Sequence, residues 1–172
     1  LTIAALIYLY ELGFEGTAFF TAQEEAGKSW RYLLEWFRRF GGSTNQLIVV
    51  DTSPFPDFDA ASQQHLVLRH KDANASFNRE LDLRLQHACA AHQYSVIYKD
   101  ENVESKNQVL LAQGLPTMSL GSTEMGRIIS ASNGLVDGTT LQIPTSGYHT
   151  MEESAPIASV LAFLDILQAL AR

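Results

Sequence analysis

The chain holds 172 residues, 46% of them hydrophobic and 18% charged, which supplies one buried core and excludes intrinsic disorder or a solvated helical rod. Lys and Arg number 12 against 19 Asp and Glu, so the net charge of -7 argues against attraction to nucleic acid or to an anionic membrane surface. A single domain, 1–172, is expected. The lone Cys89 cannot form an internal disulfide, so nothing calls for an oxidising compartment and a cytoplasmic location is the expectation.

The opening run LTIAALIYLY stops at Glu11, too short to span a bilayer, and lacks the basic start of a secretory leader. Residues 1–12 read as a buried helix closed by Gly13, and a chain that begins inside a helix suggests that its natural N-terminal portion is missing. Gly16–Ala22 reads as a short interior strand ended by Gln23, Glu24 and Glu25. From Ser29, the expected N-cap, Trp30–Phe40 has the spacing of an aromatic amphipathic helix that Gly41 and Gly42 terminate.

Leu47–Val50 is an apolar, β-branched run with Asp51 at its carboxyl end, and Pro54 and Pro56 mark Thr52–Asp59 as loop. His65–Arg69 reads as an edge strand, Asn78–His92 as a helix, Tyr94–Tyr98 as a strand and Val103–Gln113 as a helix. Thr117–Leu120 reads as another strand. Five glycines make 121–147 loop-rich, with one strand at Thr140–Ile143, and a helix over 155–171 ends the chain. Alternating helices and strands predict an α/β fold, a three-layer αβα sandwich with a mostly parallel mixed sheet.

Acidic residues stand where two buried strands are expected to end: Glu24 and Glu25 after FFTAQ, and Asp51 after LIVV. Ligands of open α/β sheets bind beyond such ends, and carboxylates gathered there call for a cation, because like charges a few Å apart do not ionise together cheaply. Each acid could instead cap the helix that follows it. His149 differs from His65, His70, His87 and His92 in sitting in a Gly/Pro-punctuated loop, IPTSGYHTMEE, just before a helix. The five-residue spacings of the other two pairs do not stack imidazoles on one helical face.

Together FTAQEEAG, LIVVDTS and IPTSGYHTMEE, in this order over most of the chain, resemble the co-catalytic zinc aminopeptidase superfamily, with its glutamyl aminopeptidase/endoglucanase-like and leucyl aminopeptidase-like members. The resemblance implies a metal-dependent exopeptidase acting on peptide substrates. It implies that Glu25 and His149 bind one zinc, that Asp51 binds a second, and that Glu24 is the general base toward a metal-activated water. Cobalt or manganese could replace zinc, and a homo-oligomer is a possible assembly. The substrate-binding residues are not assigned.

Only 98 positions separate Asp51 from His149, too few for the lid domain that carboxypeptidase members insert there. Where the aminopeptidases carry an Asp before a Gly-Ile-Pro turn, this chain has Glu104 before Gly114-Leu115-Pro116. The superfamily's early His-x-Asp and its metal-bridging aspartate have no counterpart here, so a truncated or degenerate non-catalytic module, kept for assembly or regulation, stands as the competing expectation. A P-loop is excluded because Arg127-Ile128 follows the glycines of 121–126, and no Gly-x-Ser-x-Gly elbow is present.

Overall fold

A computed structural model describes residues 1–170 of the chain. Its elements, in order, are α1 (Thr2–Glu11), α2 (Ser29–Trp36), β1 (Thr44–Pro54), α3 (Phe58–Ser62), β2 (Leu66–Leu68), α4 (Arg79–Ala91), β3 (Val96–Tyr98), α5 (Lys99–Ala112), α6 (Glu124–Ser132), β4 (Val136–Thr145) and α7 (Ile157–Leu170). A single wide π turn, Phe37–Gly41, extends α2 and closes at Gly42, whose φ of 69° suits a residue without Cβ.

The sheet has four strands in the order β1-β4-β2-β3. β1 pairs with β4 and β2 with β3 in parallel, while β2 meets β4 antiparallel, so the sheet is mixed and mostly parallel as expected. The β1/β4 register sets Asp51 against Gln142 and Leu47 against Gly138. At Gly138 a Cβ would collide with the Leu47 carbonyl oxygen, so only glycine lets the two backbones approach there.

Alternation along the strands divides the core into two layers. On one face Leu66, Leu68, Leu141 and Ile143 pack with Leu9 of α1, Leu85 and Cys89 of α4, and Phe163 and Ile166 of α7. On the other, Leu47, Val49 and Val136 meet Leu33 and Leu34 of α2 and Met125 and Ile128 of α6. Helices on both faces of one sheet make the three-layer α/β sandwich.

Local chemistry starts the helices. Asn78 caps α4 by accepting from the Leu81 N–H at 2.9 Å, with Glu80 and Asp82 in the first turn, and Thr123 caps α6 by accepting from Gly126 at 3.1 Å. Ser29 makes no such cap; it is the first, buried residue of α2, and Lys28 stands at the N-cap without a side-chain bond.

Several sequence expectations fail for identifiable reasons. Residues 16–22 run as an irregular segment with no ladder, because the neighbouring edge of β1 is not in pairing reach. β1 continues through Thr52 and Ser53 to Pro54, since Pro54 stands at the strand's terminus and costs it no interior bond. His65–Arg69 yields an interior strand, Leu66–Leu68, rather than an edge. Thr117–Leu120 forms no strand, and its backbone is held instead by Asn107, which both accepts from Met118 N and donates to Met118 O. The glycine-rich stretch hides α6, whereas the strand expected at Thr140–Ile143 is present and longer, running as β4 over Val136–Thr145. α1 buries only Ala5 and Leu9 rather than its whole circumference. The expected final helix runs over Ile157–Leu170, up to the last described residue, and its predicted extension to Ala171 lies outside the described residues.

Candidate metal and catalytic site

Three segments converge at one end of the β1/β4 pair. The first is the turn after the 16–22 segment: Gly27 N–H donates to the Glu24 carbonyl at 2.6 Å and Lys28 N–H to the Gln23 carbonyl at 3.1 Å, with Gln23 at φ 66° and Gly27 at φ 64°. Trp30 fastens this turn to α2 through its indole N–H, which donates to the Gly27 carbonyl at 2.9 Å. Glu24 and Glu25 therefore leave a tight turn rather than a strand end, and the curvature sends them to different surroundings.

The second segment is β1 itself. Asp51 lies inside the strand, three residues before Pro54, and not at its carboxyl end as the sequence suggested. Its Oδ1 accepts from the Thr52 N–H at 2.7 Å. Gln142, opposite Asp51, donates through Nε2 to the Thr52 carbonyl at 3.0 Å and accepts through Oε1 from Arg69 Nε at 3.0 Å. Arg69 is buried and also donates to the Leu120 carbonyl at 2.8 Å.

The third is the loop after β4. Ser146 and Ser154 bond reciprocally through their backbones at 2.9 and 3.0 Å, closing 147–153 into a pinned loop. Within it Thr150 Oγ1 donates to the Gly147 carbonyl at 2.6 Å. His149 has φ 61°, a left-handed conformation that a non-glycine residue adopts at some cost and that is often found at functional positions. The Tyr148 and His149 rings stack, with centroids 3.9 Å apart.

Glu25, Asp51 and His149 line one cavity of about 320 Å³ together with Thr52, Thr145, Tyr148 and Glu153. Glu25 Oε1 and His149 Nε2 are 3.3 Å apart. Glu24 lines a second, larger cavity that also touches Glu25, Asp51 and Glu124. Burial, followed by the charges of Asp51 and Glu25, raises the Glu24 carboxyl above its ordinary value; burial also raises Asp51, with the charge of Glu25 contributing and the Thr52 N–H opposing. Burial likewise raises Glu124, whose Oε1 is buried without a hydrogen-bond partner, and Tyr148.

Carboxylate and imidazole donors suit zinc, cobalt or manganese chemically. Among the described residues, however, no three His, Cys, Asp or Glu side chains approach closely enough to form a preformed metal cluster. Glu25 and His149 are a two-donor pair; Asp51 shares their cavity without completing the cluster. The donor types fit a divalent metal, and the donor number does not complete a centre.

Sequence reasoning missed Tyr148, Thr52 and Glu124 at this end of the sheet. Tyr148 could have been read from its adjacency to His149, and Glu124 from its place one residue after a Thr cap; Thr52 gave no signal. Glu104, the substituted position before Gly114-Leu115-Pro116, lies in an exposed ion pair with Lys71 at 2.7 Å.

No family model matches the chain, and no curated protein matches it significantly. Solved structures do. PhTET1-12s, a dodecamer, aligns over 98% of this chain and 47% of its own with TM-score 0.67 and 17% identity. A TET aminopeptidase from a marine-sediment Thaumarchaeota archaeon aligns over 98% and 44% with TM-score 0.68 and 17% identity. The aminopeptidase APDkam598 from the archaeon Desulfurococcus kamchatkensis aligns over 98% and 45% with TM-score 0.69 and 14% identity. The chain spans a little under half the length of these solved chains, and over that span it shares their three-layer α/β fold.

Proposed function

We propose that this chain carries one side of the active site of a metal-dependent aminopeptidase. The observation that carries the reading is the meeting of Glu25, Asp51 and His149, from three separate loops and strands, around one cavity at the end of a sheet whose solved likenesses include two aminopeptidases. In this reading Glu25 and His149 hold one divalent ion and Asp51 a second, and Glu24, in the turn beside them, accepts a proton from the attacking water. When bound, the ions would acidify that water and polarise the scissile carbonyl. Burial and like charge, which raise Glu24, move it toward the pH range in which a general base works best. Zinc is the first choice of metal, with cobalt and manganese next, and a short peptide with a free N-terminus is the substrate class.

A homo-oligomer in the cytoplasm is the proposed setting. It is supported by the dodecameric assembly of one structural likeness and by Tyr32, Trp36 and Phe40, which expose a stripe of aromatic surface at four-residue spacing along α2 and its π turn. No helix among the described residues is long and apolar enough to cross a membrane.

The incomplete donor set favours a second reading, a non-catalytic peptidase-like module. Turnover of an aminoacyl p-nitroanilide by the protein as its gene encodes it separates the two. The enzyme reading expects hydrolysis that a chelator abolishes, that zinc or cobalt restores, and that an N-acetylated substrate escapes. Absence of both turnover and divalent metal binding selects the module.

A further inference from the structure

Lys99, the first residue of α5, reaches back over the end of β1. Its Nζ donates to the Pro54 carbonyl at 2.7 Å and lies 4.5 Å from the centre of the Phe55 ring. We propose that Lys99 is a carbon dioxide site, where its free amine forms a reversible carbamate. The inference is independent of the peptidase reading.

The amine has no counter-ion. Among the described residues no carboxylate pairs with it. The acids nearest to it in sequence are engaged elsewhere. Asp100 accepts from the His70 backbone N–H at 3.1 Å, Glu101 contacts His70 Nε2 at 3.2 Å, and Glu104 pairs with Lys71 at 2.7 Å.

Cations surround it instead. Lys106 follows about two helical turns on and so shares the Lys99 face of α5. Arg69, buried just past the end of β2, reaches the same stretch of β1 through Gln142, which accepts from Arg69 Nε and donates to the Thr52 carbonyl, both at 3.0 Å. Burial, then the charges of Arg69 and Lys106, hold the Lys99 amine down at about 8. Roughly a tenth of it is therefore uncharged at neutral pH, the state in which a lysine is a nucleophile.

The same surroundings select the electrophile. Nζ attacks the carbon of CO2, a C–N bond forms, one C–O π pair passes to oxygen, and the nitrogen releases a proton to solvent. Nothing is oxidised or reduced. The product keeps one N–H for the Pro54 carbonyl, and its new carboxylate turns the repulsion from Arg69 and Lys106 into attraction. An acyl donor or an aldehyde would leave a neutral amide or imine, which gains nothing from either cation. CO2 is also small and uncharged, so it reaches an amine that the Phe55 ring shields on one side.

Trapping with triethyloxonium tests this. The protein as its gene encodes it is equilibrated with isotopically labelled bicarbonate near neutral pH and low ionic strength, trapped, digested and read by peptide mass spectrometry. The expected result is a labelled ethyl carbamate on the Lys99 peptide, at least about tenfold above free Nα-acetyl-lysinamide in the same solution, as the larger free-amine fraction requires. It should vanish when the solution is degassed before trapping. Lys106→Glu, at an exposed position, puts an acid in place of one cation and should lower the occupancy at least about twofold. Occupancy no higher than that of the free reference overturns the proposal. So does an even spread over Lys28, Lys71, Lys99 and Lys106, which assigns the adducts to the bicarbonate concentration alone. Occupancy unmoved by Lys106→Glu overturns it too, because the cations then do not hold the anion.

Discussion

His149 Nε2 lies 3.3 Å from Glu25 Oε1, although the two side chains come from loops on opposite sides of the sheet's first and last parallel strands in the sequence. The contact joins two left-handed turns, at Gly147–His149 and Gln23–Gly27, each pinned by its own backbone bonds. Both side chains are largely exposed, at 56% and 75%, so as a surface ion pair the contact contributes little to stability. Its value is positional: it holds a carboxylate and an imidazole at a separation that one divalent ion could bridge.

Glu24→Gln and Glu25→Gln should therefore behave differently in the protein its gene encodes. Under the proposed roles, Glu24→Gln removes the base and leaves the donors in place, so metal content should be kept while turnover falls by about 10²- to 10⁴-fold. Glu25→Gln swaps an anionic donor for a neutral amide and should lower metal content first. Metal analysis beside peptidase turnover reads both. The inverse pattern exchanges the two roles, and unchanged turnover in both variants reduces the pair to a charged turn.

Stability should report on the same carboxylates without any metal. A carboxyl whose folded pKa is raised binds its proton more tightly in the native state, so its contribution is present below the unfolded pKa and is lost as pH rises through the folded one. For Asp51 the window opens at its ordinary value of 3.8 and extends upward to the raised value. Asp51→Asn keeps an oxygen for the Thr52 N–H and escapes this loss. Relative to the unmodified chain, its urea midpoint should improve steadily across that window and then level off. A difference that does not vary with pH means that burial and the Glu25 charge leave Asp51 unperturbed.

Much of this arrangement could be read in advance where a residue's own neighbours in sequence decide its structure. Leu81, Leu85 and Ala88 recur at helical spacing and fall in α4, whose buried residues include Leu81, Leu85 and Cys89; Leu47–Val50 are apolar, three of the four β-branched, and fall within β1. What could not be read depends on partners. Gly16–Ala22 has the composition of a strand, but a strand also needs a neighbour within about 5 Å, and none of the described segments provides one. Asp51 looked like a strand end because Pro54 follows, yet Ile143–Thr145 continue the pairing past it. α6 was obscured by Gly121 and Gly134, which flank it, and by Gly126 in its first turn. Glu24, Glu25, Asp51 and His149 were named from motif order; that Glu24 faces the larger cavity while the other three share the smaller one follows from turn geometry that no spacing encodes.

Lys99 gives a second readout of electrostatics near this end of the sheet. Burial, then the charges of Arg69 and Lys106, push its amine down to about 8, while its Nζ donates to the Pro54 carbonyl at 2.7 Å and lies 4.5 Å from the centre of the Phe55 ring. Competitive acetylation followed over pH, read by peptide mass spectrometry, should show Lys99 reactivity rising through an inflection near 8, well below the ordinary lysine value of 10.5. An inflection at the ordinary lysine value of 10.5 would mean that Lys99 is fully hydrated.

The Arg69–Gln142–Thr52 chain predicts the largest stability effect. Gln142 is 2% exposed and Arg69 7%, and the amide is the single link between the guanidinium and the backbone that follows Asp51. Gln142→Leu preserves side-chain volume but strips one bond from a buried cation and one from a strand carbonyl. An unsatisfied buried group costs about 1–3 kcal/mol, and more when it is charged, so the expected loss is about 2–4 kcal/mol. Denaturant unfolding measures it. Arg69→Met combined with Gln142→Leu removes the charge together with its partner, so the double variant should lose less than the sum of the two single variants, because the uncompensated cation is gone. Strict additivity would show that Arg69 finds solvent when Gln142 is removed, and that the link to Thr52 does not depend on the cation behind it.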